Sequence, residues 1–189
     1  MKKLLQKRVL LITGAPGVGK TTVLTKTVEA LKAQGVSVGG MISREVREGN
    51  IRVGFEIIDL TNNKHGWLAH LNLKGGPQVG KYHVNLRDLE SIGAKAIVDA
   101  TEKCAVVAID EIGPMELYSE KFKRAVGQAL LSRKVVLAVV HAKAKDPLIN
   151  DAKQREDSET LTITLANREV LPQKLKNLAK SALQSQQVT

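Results

Sequence analysis

The stretch Val9-Leu10-Leu11-Ile12-Thr13-Gly14-Ala15-Pro16-Gly17-Val18-Gly19-Lys20-Thr21 decides how the rest of this 189-residue chain is read. Its first five residues are β-branched or leucine and end at a glycine, the pattern of a short buried strand. Gly14, four further residues and then Gly19-Lys20-Thr21 match the phosphate-loop pattern. From Thr21 to Gln34 apolar residues recur at helical spacing, and Gly35 stands where a left-handed C-terminal cap belongs. Glycines let backbone N–H groups turn toward phosphate oxygens without a Cβ in the way. The following helix adds the positive end of its dipole. Lys20 is expected to reach the β- and γ-phosphates, and the Thr21 hydroxyl to ligate Mg²⁺.

A second motif lies far downstream. Val106-Val107-Ala108-Ile109 is a continuous apolar run, as in a strand covered on both faces, and Asp110-Glu111-Ile112-Gly113 follows at once. Ligands of parallel sheets collect at the carboxyl ends of strands, where the phosphate loop also lies. Asp110 is therefore expected to hold Mg²⁺ with Thr21, and Glu111 to orient or deprotonate an attacking water. Asp110-Glu111-Ile112-Gly113 also satisfies the Asp-x-x-Gly pattern of regulatory GTPases. The guanine reader Asn-Lys-x-Asp is missing, because Asn63-Lys64-His65-Gly66 lacks the aspartate and lies upstream.

Strand patterns recur at Val36–Ile42, Val135–Val140 and, more weakly, Glu159–Leu165. Helical patterns cover Asn85 to about Glu102, Ser119–Ser132 and a C-terminal segment capped by Asn167. This alternation predicts an α/β fold, a mostly parallel sheet flanked by helices. The middle block differs. Ile42–Arg47 and Ile51–Ile58 partly alternate around Glu48-Gly49-Asn50, a hairpin pattern, and short strands follow around Trp67–Leu71 and Lys81–Val84. Residues 42–84 thus read as an antiparallel insertion within one domain spanning residues 1–189.

Composition narrows the classes. Apolar residues make up 43% and charged residues 25%, ordinary for a globular protein, with a net charge of +10. No apolar run approaches the roughly 20 residues that span a bilayer, and the basic N-terminus meets a glycine loop too soon to read as a secretion signal. One cysteine, Cys104, permits no internal disulfide and fits a reducing cytoplasm. The basic residues cluster locally at 2–8 and 143–155 without aromatic interleaving, so nucleic acid ranks last among the partners. No membrane association is expected, and the chain is expected to act as a monomer.

Accessory residues are chosen by position and charge. His141 ends the strand Val135–Val140 and would stand beside Asp110. Arg47 and Arg52 flank the hairpin turn, and Arg155 and Arg168 follow the His141 strand; any of these guanidinium groups would stabilise charge on a transferred phosphoryl group. Lys81 and Tyr82 close a glycine-rich loop that would cover the nucleotide, and Trp67 reads equally as a core anchor.

The chain resembles the cancer-related nucleoside-triphosphatase family, small P-loop proteins also described as a nucleotide kinase-related group. The resemblance spans nearly the whole chain. It rests on Gly14–Thr22, on the narrow block Asp110-Glu111-Ile112-Gly113-Pro114-Met115-Glu116-Leu117, on Gly40–Gly49 with Arg52–Phe55, on Val79–Val84 and on Thr164-Leu165-Ala166-Asn167-Arg168. It implies a RecA-like sheet with extra antiparallel strands, and hydrolysis of several nucleoside triphosphates with magnesium and weak base selectivity. It also implies that residues 106–113 form a second nucleotide-contacting segment beside residues 14–21. Two alternatives stand beside hydrolysis. One is a nucleotide or nucleoside kinase whose middle block would be an acceptor lid; the other is a nucleic-acid-linked NTPase.

Overall fold

The computed structural model describes residues 6–187. Residues 2–5 of the N-terminal basic cluster lie outside them. One nine-stranded sheet runs through the molecule in the order β5 (Gln78–Val79), β6 (Tyr82–Val84), β4 (His65–His70), β3 (Ile51–Asp59), β2 (Val38–Glu48), β7 (Val106–Ile112), β8 (Val135–Val140), β1 (Val9–Gly14), β9 (Ser158–Ile163). Strands β1, β8, β7, β9 and the first half of β2 pair in parallel. Strands β3, β4, β6 and β5 extend one edge antiparallel.

Side chains alternate across the sheet because successive Cβ atoms of a strand point to opposite faces. Leu10 and Ile12 pack with Val23, Leu24, Val28 and Leu31 of α1 (Lys20–Lys32) and Leu175 and Ala179 of α6 (Leu171–Gln187). Val9 and Leu11 belong to the opposite layer. That layer holds Ile97 of α3 (Lys95–Lys103), Phe122 and Val126 of α4 (Glu120–Leu131) and Ile149 of α5 (Pro147–Gln154). Helices on both faces explain why β1, β7 and β8 are uninterrupted apolar runs. No helix among the described residues is long and apolar enough to cross a membrane.

The second predicted strand and the first hairpin arm are one continuous element. Val38–Met41 of β2 pairs with β7, while Met41–Glu48 pairs with β3. The antiparallel block therefore grows directly from the parallel sheet and is not a separate layer. Gly40 stands at the transition with φ +113, and a Cβ there would fall 2.0 Å from the Ala108 carbonyl oxygen. Only glycine fits.

Helix ends follow local chemistry. Asn85 caps α2 (Leu86–Asp88) by accepting from the Asp88 N–H at 3.1 Å, and Ser119 caps α4 by accepting from the Phe122 N–H at 3.1 Å. The predicted helix after Asn85 exists, but its centre, Leu89–Ala94, is π-helical. There Gly93 lies against Met41 and Leu89, where a side chain would crowd the Met41 sulfur at 3.0 Å. Asn167 does not cap the last helix. It accepts from the Thr164 N–H and donates to the Thr162 carbonyl, and α6 begins only at Leu171. Helix α5 was not expected; Asp146 caps it and Pro147 occupies its first turn.

At the opposite end of the sheet from the glycine loop, Arg8 donates to the Leu130 and Lys134 carbonyls and pairs with Asp157 at 2.8 Å. This partly buried cluster joins the starts of β1 and β9.

Gly40→Ala is expected to destabilise the fold by about 3 kcal/mol or more, because backbone on two central strands must separate. Gly127→Ala, in α4 with nothing near its Cβ position, is expected to stabilise by about 0.5–1 kcal/mol. Urea unfolding of both variants checks the pair, and equal effects would contradict this account of Gly40.

Candidate active site

Parallel pairing brings the carboxyl ends of β1, β7 and β8 to one edge of the sheet, and a cavity of about 740 Å³ opens there. Gly14, Ala15, Pro16, Gly17, Gly19, Lys20 and Thr21 form one wall; Asp110, Glu111, His141, Ala142 and Lys143 form the next; Ser43, Arg44, Glu45 and Phe55 close the antiparallel side. Gly17 and Gly19 have φ of +74 and +106, so the loop needs the left-handed backbone that glycine allows. Lys20 Nζ lies 3.4 Å from the Gly14 and Ala15 carbonyl oxygens, its side chain folded back over the loop. Val18 points the other way, into the layer under α1.

Two consecutive residues of a regular strand would face opposite sides. Asp110 and Glu111 nonetheless both line the cavity. The pairing of β7 with β8 slips between Ile109 and Ile112, so three steps on β7 match two on β8, and the extra residue falls at the carboxylate pair. A bulge of this kind re-aims side chains. The peptide joining the two residues is cis. Val106, Val107, Ala108, Ile109 and Ile112 are fully buried in the sheet and form no part of the cavity wall.

The electrostatics are unusual. Asp110 is 1% exposed, and its Oδ2 has no hydrogen-bond partner. Burial pushes its carboxyl up to about 7 and adjacent Glu111 adds to the shift, while a hydrogen bond with the Thr21 side chain and the charge of Lys20 oppose it. Glu111 is also raised by burial, against the pull of Lys20 and His141. An orphaned carboxylate oxygen beside a threonine hydroxyl fits a hydrated divalent cation. No group of three or more His, Cys, Asp or Glu that could hold a metal occurs among the described residues. Magnesium takes one or two protein ligands and fills its shell with water and phosphate oxygens, so Asp110 and Thr21 are the residues that could hold it.

A third carboxyl was not singled out in the sequence. Glu116 is 4% exposed, in the 3₁₀ turn Glu116–Tyr118. A Cβ placed on Gly113 would lie 3.0 Å from Glu111 Oε1 and 3.2 Å from Glu116 Oε2, so both carboxyls converge on one point. Burial pushes Glu116 up to about 8; its neighbours Glu111 and Asp110 contribute, and hydrogen bonds from its own N–H and that of Gly113 oppose the shift. The readable signal was an acid three residues after a glycine in a turn that follows two other acids.

Of the accessory residues, His141 lines the cavity beside β7, its N–H donating to the Ile112 carbonyl at 3.1 Å. The four arginines chosen from the sequence do not line it. Arg47 pairs with Glu45; Arg52 donates to Glu45 and to the Tyr82 hydroxyl and sits over the Phe55 ring; Arg155 pairs with Asp157; Arg168 lies 3.5 Å from Glu169. The guanidinium group that reaches the wall is Arg44, paired with Glu56 at 2.5 Å. Lys81 and Tyr82 stack on each other beside Arg52 and do not line the cavity. Trp67 is half-buried against His70.

A glycine loop between β1 and α1, facing a carboxylate pair at the end of a strand one removed from β1, defines a P-loop nucleotide-binding α/β protein. A family model described as NTPase matches residues 9–176, and the chain belongs to that family. It is 48% identical over 166 residues to nucleoside-triphosphatase THEP1 of Thermofilum pendens, covering 87% of this chain and 91% of the relative. Among solved structures it is similar to a human cancer-related nucleoside triphosphatase, at TM-score 0.79 and 34% identity, covering 92% of this chain and 98% of the other. It is also similar to THEP1 from Aquifex aeolicus, at TM-score 0.77 and 30% identity, covering 90% and 98%. These relatives are named as triphosphatases or as THEP1, none as a kinase. The kinase alternative has no support from them, and Arg47 and Arg52, the arginines of the middle block read as an acceptor lid, are engaged within that block.

Because Glu116 is held neutral in the fold, its contribution to stability is full below its ordinary value of 4.5 and is lost as pH rises toward about 8. Glu116→Gln keeps an acceptor for the two amides and has no proton to lose. Its stability is expected to fall less than wild type's between pH 5 and 8, by about 1–3 kcal/mol, in metal-free buffer. Parallel urea-stability curves would contradict the assignment.

Proposed function

We propose that this site hydrolyses nucleoside triphosphates to diphosphate and phosphate, with magnesium and little selection among bases. The single observation behind the proposal is the bulge that turns both Asp110 and Glu111 into the cavity of Lys20 and Thr21. The loop amides and Lys20 bind the β- and γ-phosphates and stabilise negative charge there. Thr21 and Asp110 would hold the magnesium ion, which when bound neutralises charge on the phosphate oxygens. Glu111 accepts the proton of a water whose oxygen attacks the γ-phosphorus in line, and the bond to the β–γ bridging oxygen breaks, releasing the diphosphate. His141 lies close enough in the same wall to bias the charge of Glu111. Arg44 is the guanidinium group available to the γ-phosphate side.

Little covalent chemistry falls to the protein, so the basal rate is expected to be slow. Glu111→Gln is expected to lower phosphate release about 100- to 1,000-fold while nucleotide affinity stays within about twofold. Unchanged release would remove Glu111 from the mechanism. Arg44→Ala is expected to lower kcat about tenfold, with Arg155→Ala as the unaffected comparison. Release from ATP, GTP, CTP and UTP, each with and without added nucleoside mono- and diphosphates, tests the reaction class. Phosphate appearing only on an acceptor would overturn hydrolysis.

A further inference from the structure

The hydrolytic reading fixes which way a triphosphate lies in the loop, and the sheet order then says where the nucleoside leaves. Along the carboxyl edge the neighbours run β7, β8, β1, β9. Asp110, Glu111 and His141 stand at the ends of β7 and β8, so the γ-phosphate points to that side of β1. The α-phosphate and its nucleoside exit on the other side, where β9 ends. Gly14 is in register with Ile163, and a Cβ on Gly14 would fall 2.8 Å from the Ile163 carbonyl oxygen. Residues 164–170 thus continue from the strand end that abuts the start of the glycine loop, outside the residues that line the cavity.

This segment has an odd surface. Leu165 is 72% exposed and Val170 67% exposed, two of the most exposed large apolar side chains among the described residues. The turn carrying them is braced. Asn167 spends its oxygen on the Thr164 N–H and its amide on the Thr162 carbonyl, Arg168 N–H donates to the Thr164 carbonyl, and Glu169 pairs with Lys26 of α1 at 3.3 Å. The side chain best suited to read a base edge is therefore committed within the turn, while the two aliphatic side chains stay exposed to solvent.

We propose that residues 164–170 form the nucleobase platform of the bound triphosphate, with Leu165 and Val170 contacting the face of the base. Such a surface accepts any base, because every base offers an apolar face and only the edges differ. The proposal rests on the triphosphatase reading for the direction of the chain of phosphates, and it adds the residues that make nucleotide binding tighter than binding of phosphate alone.

The test reads binding, not turnover. Calorimetry with Mg²⁺ compares non-hydrolysable ATP, GTP and CTP analogues with inorganic tripolyphosphate, on wild type, Leu165→Asn and Val170→Asn. Both side chains are exposed, so the variants are expected to fold, and thermal melts check this. Affinity for every nucleotide is expected to fall about three- to tenfold in Leu165→Asn, the loss of a partly buried aliphatic contact, with tripolyphosphate unchanged. Unchanged nucleotide affinity in both variants overturns the platform. So does an equal loss for tripolyphosphate, a loss confined to one base, or wild type binding tripolyphosphate as tightly as nucleotides. Wild type that shows the expected pattern but releases no phosphate from any triphosphate refutes hydrolysis and leaves the platform standing.

Discussion

Asp110 sits almost wholly out of water with one carboxylate oxygen unpaired, and much of the molecule follows from that cost. A buried ionised carboxylate without partners is expensive enough that it takes up a proton instead. The fold leaves it two partial remedies, the Thr21 hydroxyl and the charge of Lys20. Both come from the first turn of α1, which exists because the glycine loop delivers the chain there. The bulge in β7 adds a second carboxylate at the same spot, and the turn after it a third. A site built this way is incomplete alone. On the proposed reading it would be finished by a cation and by a ligand whose oxygens complete that cation's shell.

The arrangement depends on parallel pairing. Only when β1, β8 and β7 run the same way do their loops gather at one edge, and the crossover helices that such pairing requires supply the two apolar layers that make these strands hydrophobic throughout. The antiparallel strands serve a different purpose. Arg52 ties Glu45, Tyr82 and the Phe55 ring into one cluster, and that cluster holds up the wall of the cavity facing the phosphate loop. Charges that from sequence suggest contact with a ligand are here spent on the scaffold beside it.

The parts legible in sequence were those with a short-range signature. The glycine loop, the apolar runs of β1, β7 and β8, and the starts of the helices at Asn85 and Ser119 are each set by neighbours within a few residues, and each stands where expected. The unity of β2 was hidden because its two halves obey different patterns, one buried between strands and one half-exposed in a hairpin. Helix α5 was masked by the basic residues around it, although Asp146-Pro147 is a sound start signal. The arginines were chosen for being near the motifs along the chain, yet which guanidinium reaches the cavity depends on cross-strand partners. Glu45 draws Arg47 and Arg52 away, and Glu56 holds Arg44 at the wall. Glu116 was hidden for a similar reason, since its nearness to Glu111 depends on the turn at Gly113 closing back on the strand.

The charge balance of the site argues for the order in which its ligands arrive. Asp110 and Glu111 line the cavity together, with Glu116 buried behind Glu111, and within a low-dielectric pocket like charges repel strongly. A bare triphosphate would bring more negative charge to groups already driven toward their neutral forms. A triphosphate that already carries a divalent cation brings far less, and on the proposed reading it would give the orphaned oxygen of Asp110 a partner as it enters. The chain's net charge of +10 can raise the local concentration of such polyanions without specificity. On the proposed reading selection would then fall to the cavity, where the carboxyls Asp110 and Glu111 would favour the metal complex over the free nucleotide. On that same reading, a basic exterior that gathers anions and buried carboxyls that favour the cation-bound form would be complementary parts of one device.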